Sequence, residues 1–405
     1  MKIKRRIVFI SCVLCILLCL GGCIKKDEKD KVVLKVWSSS EDKDIIMTSV
    51  REFEKEYKNE ADIKVEVMSE SISDSKRLIL NDAEDAADVF NYVDDQFSDI
   101  YNIGALADIT EGVEQICKDN GGKDSDIIQK VTKGDKLYGY PLSDSNGYFL
   151  YYNSDYFTEN DVKDIDKILD IAQKNDKYFA MDWSSGWYTY SFFGGAGKKI
   201  SVSDDGLHNI CDFADESGKY SGIDIVNAML DISDKKSFRS AIDGKIIEGI
   251  RDGEIIAAVN GTWNSKAIED VWGESCAAAK LPEFTINGEK VQMSGFYGYK
   301  YFGVNAHSKN KKWAMRLAKK ISDYDTQMRR FDKIGESPSN INAKEVKNSD
   351  IINAVAEQKK YSVAQNICEA YWDPMSRLGV YLAAGNPDNA YMSQVLENVV
   401  RDINK

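Results

Sequence analysis

The chain has 405 residues, of which 43% are hydrophobic and 11% aromatic. This length exceeds what one hydrophobic core usually supports, so the sequence predicts two domains. The formal net charge is −13, which argues against nucleic acid or anionic lipid as the main partner.

The N-terminus has the features of an export signal. A basic start precedes an apolar stretch that ends at Leu20 and is too short to span a membrane comfortably. Two glycines and Cys23 follow, a pattern that resembles a bacterial lipobox. We predict a lipoprotein signal peptide over 1–22, lipid on Cys23, a flexible tether over 23–31 and a position on the extracellular face of the cytoplasmic membrane. The alternative is an ordinary secretory leader with a chance cysteine.

The remaining cysteines carry no motif. They lie far apart and without CxxC spacing, so the sequence indicates neither a metal site nor a redox site; they are Cys117, Cys211, Cys276 and Cys368. Export permits disulfides, and three full pairings stay open. We favour buried free thiols, since a chain of this length does not need cross-links.

The first part of the chain predicts a β-α-β-α-β unit. Val32–Trp37, Ile63–Val67 and Val89–Val93 have the composition of β-strands. Helical spacing of apolar residues follows the first strand, where Ser38 and Glu41 fit a capping box. Ligands bind beyond the carboxyl ends of strands in such sheets, which favours 38–41 and 92–96 as binding segments.

The middle of the chain predicts a crossing between two domains. Pro141 and Gly147 bracket a polar segment that we interpret as a bend. Tyr148–Tyr152 is apolar without alternation, which is typical of a strand buried on both faces. We therefore expect the polar bend to lie in a cleft between two α/β lobes.

The pattern then restarts. Helices are predicted over 165–172, 223–232, 242–250 and 313–321, and strands over 178–181, 255–259 and 276–281. The alternating Tyr297, Tyr299 and Tyr301 indicate a strand that returns to the first lobe.

Catalytic motifs are weak. His208 and His307 have no neighbouring carboxylate pattern, which argues against a metal site or a Ser-His-Asp triad. The segment 194–199 lacks the first glycine and the hydroxyl residue of a phosphate loop. We expect no enzyme activity, cofactor or metal, although paired carboxylates leave a glycan hydrolase as an alternative.

Aromatic rings stand beside short polar groups at several strand or loop ends. A sugar ring has an apolar CH face and a rim of hydroxyls, which flat rings and carboxylates or amides satisfy. The groups are Trp37 with Ser39 and Glu41, Tyr92 with Asp95, Trp187 with Ser185, Trp263 with Asn260 and Asn264, and Trp372 with Asp373. A single tryptophan more often fills a core, but their placement at successive corners favours a sugar site.

From about Val32 to the C-terminal helices, the chain resembles the extracellular solute-binding proteins of sugar ABC transporters, of the maltose/maltodextrin-binding type. The resemblance rests on motifs whose order and spacing match: Leu34–Trp37, Ala87–Phe90 leading into Asp94–Phe97, Gly104–Thr110, Gly139–Leu142, Tyr151–Asn153, Gly253–Trp263 and Gly303–Ala306.

The resemblance implies a site. The family's stacking aromatics fall on Tyr92, Trp187, Trp263 and Trp372, and its polar contacts on Ser39, Glu41 and Asp95. Three positions depart from the family: a lysine falls on Asp42, an arginine on Gln96 and a cleft glutamate on Asn146, which we keep as a ligand contact. These changes leave the preferred sugar open.

The resemblance also implies an α/β fold of the periplasmic-binding-protein type II-like class, with two doubly wound lobes joined by a multi-strand hinge. We expect an N-terminal lobe from 32–143 with 294–345 and a C-terminal lobe from 144–293 with 346–405. The implied function is the substrate-binding component of a carbohydrate ABC importer, a monomer that delivers an oligosaccharide, expected to be maltodextrin, to permease subunits. A non-glucan oligosaccharide, a polyamine, a peptide, or an adhesion or sensor role are the alternatives.

Overall fold

The structure is a computed structural model that describes residues 29–203, 207–346, 350–388 and 390–405. The predicted signal peptide, Cys23 and most of the tether lie outside these residues. The strands are β1 Asp30–Ser38, β2 Ala61–Ser69, β3 Val89–Val93, β4 Thr132–Lys133, β5 Lys136–Leu137, β6 Tyr140–Asn153, β7 Tyr178–Met181, β8 Ile200–Val202, β9 Asn209–Cys211, β10 Phe238–Ser240, β11 Ile255–Gly261, β12 Cys276–Ala279, β13 Glu283–Ile286, β14 Glu289–Gln292, β15 Gly295–Val304 and β16 Ser362–Ala364.

Helices lie between many of the strands along the chain. They are α1 Lys43–Tyr57, α2 Ile72–Asn81, α3 Phe97–Asn102, α4 Val113–Asp119, α5 Asp126–Gln129, α6 Ile165–Lys174, α7 Gly186–Gly195, α8 Gly222–Ser233, α9 Asp243–Arg251, α10 Ser265–Trp272, α11 Lys311–Ile321, α12 Tyr324–Ile334, α13 Ile341–Val346, α14 Asp350–Lys359, α15 Trp372–Ala383 and α16 Met392–Ile403. Short 3-10 turns include Asp94–Gln96, Thr262–Asn264 and Glu369–Tyr371.

Within the described residues, ten strands form one sheet in the order β10-β7-β11-β6-β15-β3-β1-β2, with β12 on β6 and β16 on β15. The pairs β1–β2, β1–β3, β7–β10 and β7–β11 are parallel. The central strands β6 and β15 run antiparallel to each other and to their neighbours β11 and β3. The parallel parts thus lie on either side of an antiparallel seam.

Separate hydrophobic cores lie on the two sides of this seam. One core gathers side chains from 32–142 and 299–321, and we call this body the first lobe. Two further cores gather side chains from 148–296 and 351–403 and form the second lobe. Because β6 and β15 contribute to both bodies, they are the crossings that the sequence predicted. We propose on this basis that the predicted domain boundaries hold.

Local sequence explains why the elements form. In α6, Ile165, Ile168 and Leu169 are buried at helical spacing, and the Asp164 side chain caps the helix by accepting from the backbone N–H of Asp166 at 3.0 Å. The five residues of β3 are all buried, as expected of a strand covered on both faces.

Two local predictions are wrong. The polar segment between Pro141 and Gly147 is not a bend, because it lies inside the continuous strand β6. The hydrogen-bonded pairing of this segment with β15 shifts register around Lys300, so the chain has a β-bulge or similar irregularity here and no bend. The capping box is also absent: β1 extends through Ser38, and α1 starts after Asp42 without a side-chain cap.

Three of the cysteines beyond the leader, Cys117, Cys211 and Cys276, are free thiols in the structure, and of these Cys211 is buried as the sequence analysis favoured, whereas the other two are half-buried. Burial raises the pKa of Cys211 and of Cys276 to about 12 in each case. Both therefore stay protonated and weakly reactive at neutral pH.

Candidate functional site

A cleft of about 1070 Å³ lies between the two lobes. The wall on the first lobe comes from the residue pair before α1, from α2, from the end of β3 with the 3-10 turn after it, and from α3: Glu41, Ile72, Ser73, Lys76, Arg77, Leu80, Asn81, Val93, Asp95, Gln96 and Asp99. The opposite wall comes from the crossing strands and the second lobe: Asn146, Trp187, Trp263, Lys300, Gln365, Glu369 and Trp372. We refer to this space as the cleft.

The cleft brings together six of the eight predicted ligand contacts, which lie far apart in sequence. They are Glu41, Asp95, Asn146, Trp187, Trp263 and Trp372. Glu41 and Asp95 lie on the first-lobe wall, and the three tryptophans lie on the opposite wall. A molecule in the cleft therefore faces carboxylates on one side and indole rings on the other.

Tyr92 is the clearest correction. Its side chain is 0% exposed and lies in the core of the first lobe, where its ring stacks on Tyr301 at a centroid distance of 5.4 Å. Its hydroxyl donates to the backbone carbonyl of Tyr138 at 3.4 Å. Successive side chains of a strand point to opposite faces, and it is the next residue, Val93, that borders the cleft. The prediction that Tyr92 stacks on a ligand is therefore wrong.

Ser39 is not part of the cleft lining either. The residue is 8% exposed, and its hydroxyl donates to Asp42 Oδ2 at 3.2 Å. Asp42 in turn accepts from Arg330 Nε at 2.7 Å and from Nη2 at 3.1 Å. Ser39 therefore supports a buried ion pair, and we remove it from the candidate ligand contacts.

Three half-buried tryptophans, Trp187, Trp263 and Trp372, form what we call the aromatic shelf. Trp187 and Trp263 have ring centroids 5.6 Å apart. Tyr148 packs edge-on against Trp187 at 4.7 Å and donates its hydroxyl to the Trp187 carbonyl at 2.7 Å. The buried Tyr148 thus fixes Trp187, and all three half-buried indoles line the cleft.

The Asp95 carboxylate lies in the cleft wall opposite the aromatic shelf. Its Oδ2 accepts from Gln365 Nε2 at 2.5 Å, whereas its buried Oδ1 has no hydrogen-bond partner among the described residues. Burial raises the pKa of Asp95 to about 6, against the lowering effects of Lys76 and of the Gln365 hydrogen bond. A carboxylate in the cleft wall favours a ligand that carries hydroxyl donors.

Sequence reasoning missed Lys300. Its Nζ donates to Glu336 Oε1 at 2.5 Å and lies 5.7 Å from the centroid of the Trp263 ring. The tyrosine alternation of β15 could have indicated that Lys300 faces the other side of the strand. Its partner Glu336, however, lies beyond two helices, and nothing in the local sequence signals the pair.

Lys300 belongs to a buried network of charges at the seam. Glu336 is 1% exposed, accepts from Ser143 Oγ at 2.8 Å and lies 3.9 Å from Arg330. Burial raises the pKa of Glu336, but the charges of Lys300 and Arg330 outweigh burial and lower the pKa to about 2. Arg330 also compensates the buried charge of Asp42, at the position where the resemblance implies a lysine.

Sequence reasoning also missed the cleft wall formed by α2. Lys76 lies 2.8 Å from Asp99 and 4.0 Å from Glu369, which approaches from the second lobe. Arg77 pairs with Asp74 at 3.0 Å. These residues carry no aromatic or motif signal, so only the tertiary arrangement identifies them as lining.

Residues 48–357 match the family described as bacterial extracellular solute-binding protein. The chain belongs to this family. This solute-binding protein is 26% identical over 384 residues to the galactooligosaccharide-binding protein of Bacillus subtilis (strain 168). The aligned region covers 88% of this chain and 85% of the relative. Among the described residues, no helix is both long and apolar enough to cross a membrane.

Solved structures resemble this solute-binding protein along nearly its whole length. A structure with acarbose has a TM-score of 0.77 at 26% identity and covers 92% of this chain and 98% of its own. The ligand-free maltodextrin-binding protein MalE1 of L. casei BL23 has a TM-score of 0.74 at 23% identity, with 92% and 99% covered. The predicted α/β, periplasmic-binding-protein type II-like fold is confirmed.

Proposed function

We propose that this protein is the substrate-binding component of a carbohydrate ABC importer and that it binds an oligosaccharide in the cleft. The observation that carries the proposal is the aromatic shelf on one wall of the cleft and the carboxylates of Glu41 and Asp95 on the other. Indole faces suit the CH faces of sugar rings, and an ionised carboxylate suits their hydroxyl donors. The named relative and the structure with acarbose support the same ligand class.

Within this class, maltodextrin is the first candidate. The motifs that resemble the maltose/maltodextrin type include the segments that carry Asp95 and Trp263, and both residues line the cleft. A galacto-oligosaccharide is the second candidate, favoured by the similarity to the galactooligosaccharide-binding protein. Gln96, where the maltodextrin type has arginine, removes a cation from the site and leaves room for a different pattern of hydroxyls.

Binding would act through a hinge. The cleft is bordered by both lobes, whereas the connection between them runs through β6 and β15. A ligand that touches both walls favours the conformation in which they approach, so closure is a shift of population towards that state. The closed monomer then delivers its ligand to the permease subunits.

The test is a thermal-shift series followed by calorimetry on the chain from residue 29 onward, with maltotriose, maltotetraose, galactotriose and the polyamine putrescine. A ligand that binds only the folded state raises the melting temperature. We expect a rise with at least one oligosaccharide and none with putrescine. Stabilisation by putrescine alone contradicts the proposal, and shortening of labelled maltodextrins during incubation would indicate a hydrolase instead.

We further propose that Cys23 carries the lipid anchor on the extracellular face of the membrane. The support is the lipobox-like sequence together with membership of an extracellular family. The full-length Cys23→Ser variant should leave the membrane fraction of the expressing bacterium. Retention of that variant in the membrane to the same extent as the parent overturns the anchor.

A further inference from the structure

We propose that Asp243 is a positioning residue that fixes the orientation of the Trp263 indole for ligand binding, an inference that rests on the proposed function. Trp263 Nε1 donates to Asp243 Oδ2 at 2.7 Å. Asp243 is the first residue of α9, and Trp263 lies in the 3-10 turn that follows β11. A charge-assisted hydrogen bond is stronger than a neutral one and fixes the direction of its donor.

Asp243 is itself held in place by buried neighbours. Its second oxygen, Oδ1, accepts from Asn260 Nδ2 at 3.2 Å and from the Tyr188 hydroxyl at 3.3 Å. Asn260 is 0% exposed and Tyr188 is 4% exposed. Both oxygens of the carboxylate are therefore committed, and rotation of the side chain would break several hydrogen bonds at once.

The indole ring is restrained on other sides as well. A Cβ at Gly261 would lie 1.9 Å from the ring, so the ring packs directly on this backbone. Trp187 lies beside the ring and Lys300 Nζ lies 5.7 Å from its centroid. With the N–H edge tied to Asp243, the side chain is ordered before ligand arrives, and binding loses less side-chain entropy.

This inference has a readout that does not need a ligand. In ¹H–¹⁵N spectra of the unaltered protein, the indole N–H signal of Trp263, assigned with Trp263→Phe, should exchange slowly with solvent. Asp243→Leu should shift this signal and speed its exchange, and Asp243→Asn, which keeps a carbonyl acceptor, should restore most of the protection. An indole proton of the unaltered protein that exchanges as fast as free indole overturns the inference, whether or not the leucine variant folds.

Binding supplies the second readout, with maltotriose as the probe. Asp243→Leu should weaken maltotriose binding about tenfold, and in a Trp263→Phe background the same change should have little further effect. In a Trp187→Phe background the full loss should persist. Equal losses in both backgrounds would make Asp243 merely structural and overturn the inference. A parent that binds no maltotriose contradicts the proposed maltodextrin ligand, while the indole signal still decides the role of Asp243.

Discussion

The two walls of the cleft are built in different ways. On the second lobe, the aromatic shelf rests on buried groups: Tyr148 supports Trp187, and Asp243 holds Trp263. On the first lobe, α2 presents the exposed pair Arg77–Asp74, whose side chains are 61% and 50% exposed. Buried contacts fix one geometry, whereas solvent-screened pairs contribute little energy and adapt easily. The contrast indicates that the second lobe provides a preformed surface and that α2 provides an adaptable one.

A buried network of charges at the seam connects the two walls of the cleft. Glu336 pairs with Lys300, whose Nζ lies over the Trp263 ring, and it also faces Arg330, whose partner Asp42 precedes α1. A change at this point should disturb both lobes. Changes on the aromatic shelf or on α2 should each affect one wall of the cleft only.

The largest effect is expected at the seam. Glu336→Gln removes the negative charge between Lys300 and Arg330 and leaves buried cations without their full compensation, so the free energy of unfolding should fall by about 3–5 kcal/mol. Urea unfolding measures this loss. The matched control is Glu357→Gln, which breaks an exposed pair with Lys360 (63% and 53% exposed) and should change stability by less than about 0.5 kcal/mol. Equal effects of the two variants would contradict a supporting role for the seam.

The next effect tests the shelf. Trp263→Ala removes a half-buried ring from the second-lobe wall and should weaken maltotriose binding by about 1–3 kcal/mol, by analogy with the burial of one aromatic side chain. Calorimetry on a parent that binds maltotriose measures the change. An unaltered affinity in a folded variant removes Trp263 from the site.

A pH series tests whether the Asp95 carboxylate, opposite the aromatic shelf, contributes to maltotriose affinity. Because burial raises the pKa of Asp95 to about 6, the carboxylate is mostly ionised at pH 7.5 and mostly protonated at pH 5. Only the ionised form carries the negative charge that strengthens hydrogen bonds from sugar hydroxyls, so maltotriose affinity should fall as the pH drops through about 6, by about 1 kcal/mol.

The control for the pH series is Asp95→Asn, which does not titrate. Its affinity should be lower at pH 7.5 and nearly flat between pH 5 and pH 7.5. If the affinity of the unaltered protein is as independent of pH as that of the variant, maltotriose binding does not depend on the ionised Asp95.

The smallest effect is expected on α2. Arg77→Ala removes an exposed ion pair at the cleft margin and should change both stability and maltotriose affinity by less than about 0.5 kcal/mol. The same calorimetry and urea unfolding measure it. A loss as large as that of Trp263→Ala would show that the first-lobe wall is as firmly built as the shelf, and the contrast between the walls would fail.

The sequence predicted most of the secondary structure because apolar periodicity is a local signal. The strands Val89–Val93 and Tyr178–Met181 have the predicted bounds. Its site predictions placed Trp187, Trp263 and Trp372 at corners that do border the cleft. Tyr92 failed because a residue at the end of a buried strand faces either the cleft or the core, and the composition of the strand does not distinguish these faces.

By itself, the sequence determined the alternation of strands and helices, the return of the chain through β15 and the resemblance that its motifs carry. Tertiary structure alone decided which carboxylates meet which cations, since Asp42 and Arg330 or Lys300 and Glu336 find each other only after the lobes form. It also decided that α2 lines the cleft and that Asp243 holds Trp263. The physical reason is that periodicity depends on neighbouring residues, whereas ion pairs and hydrogen bonds in a core depend on the folded geometry of distant ones.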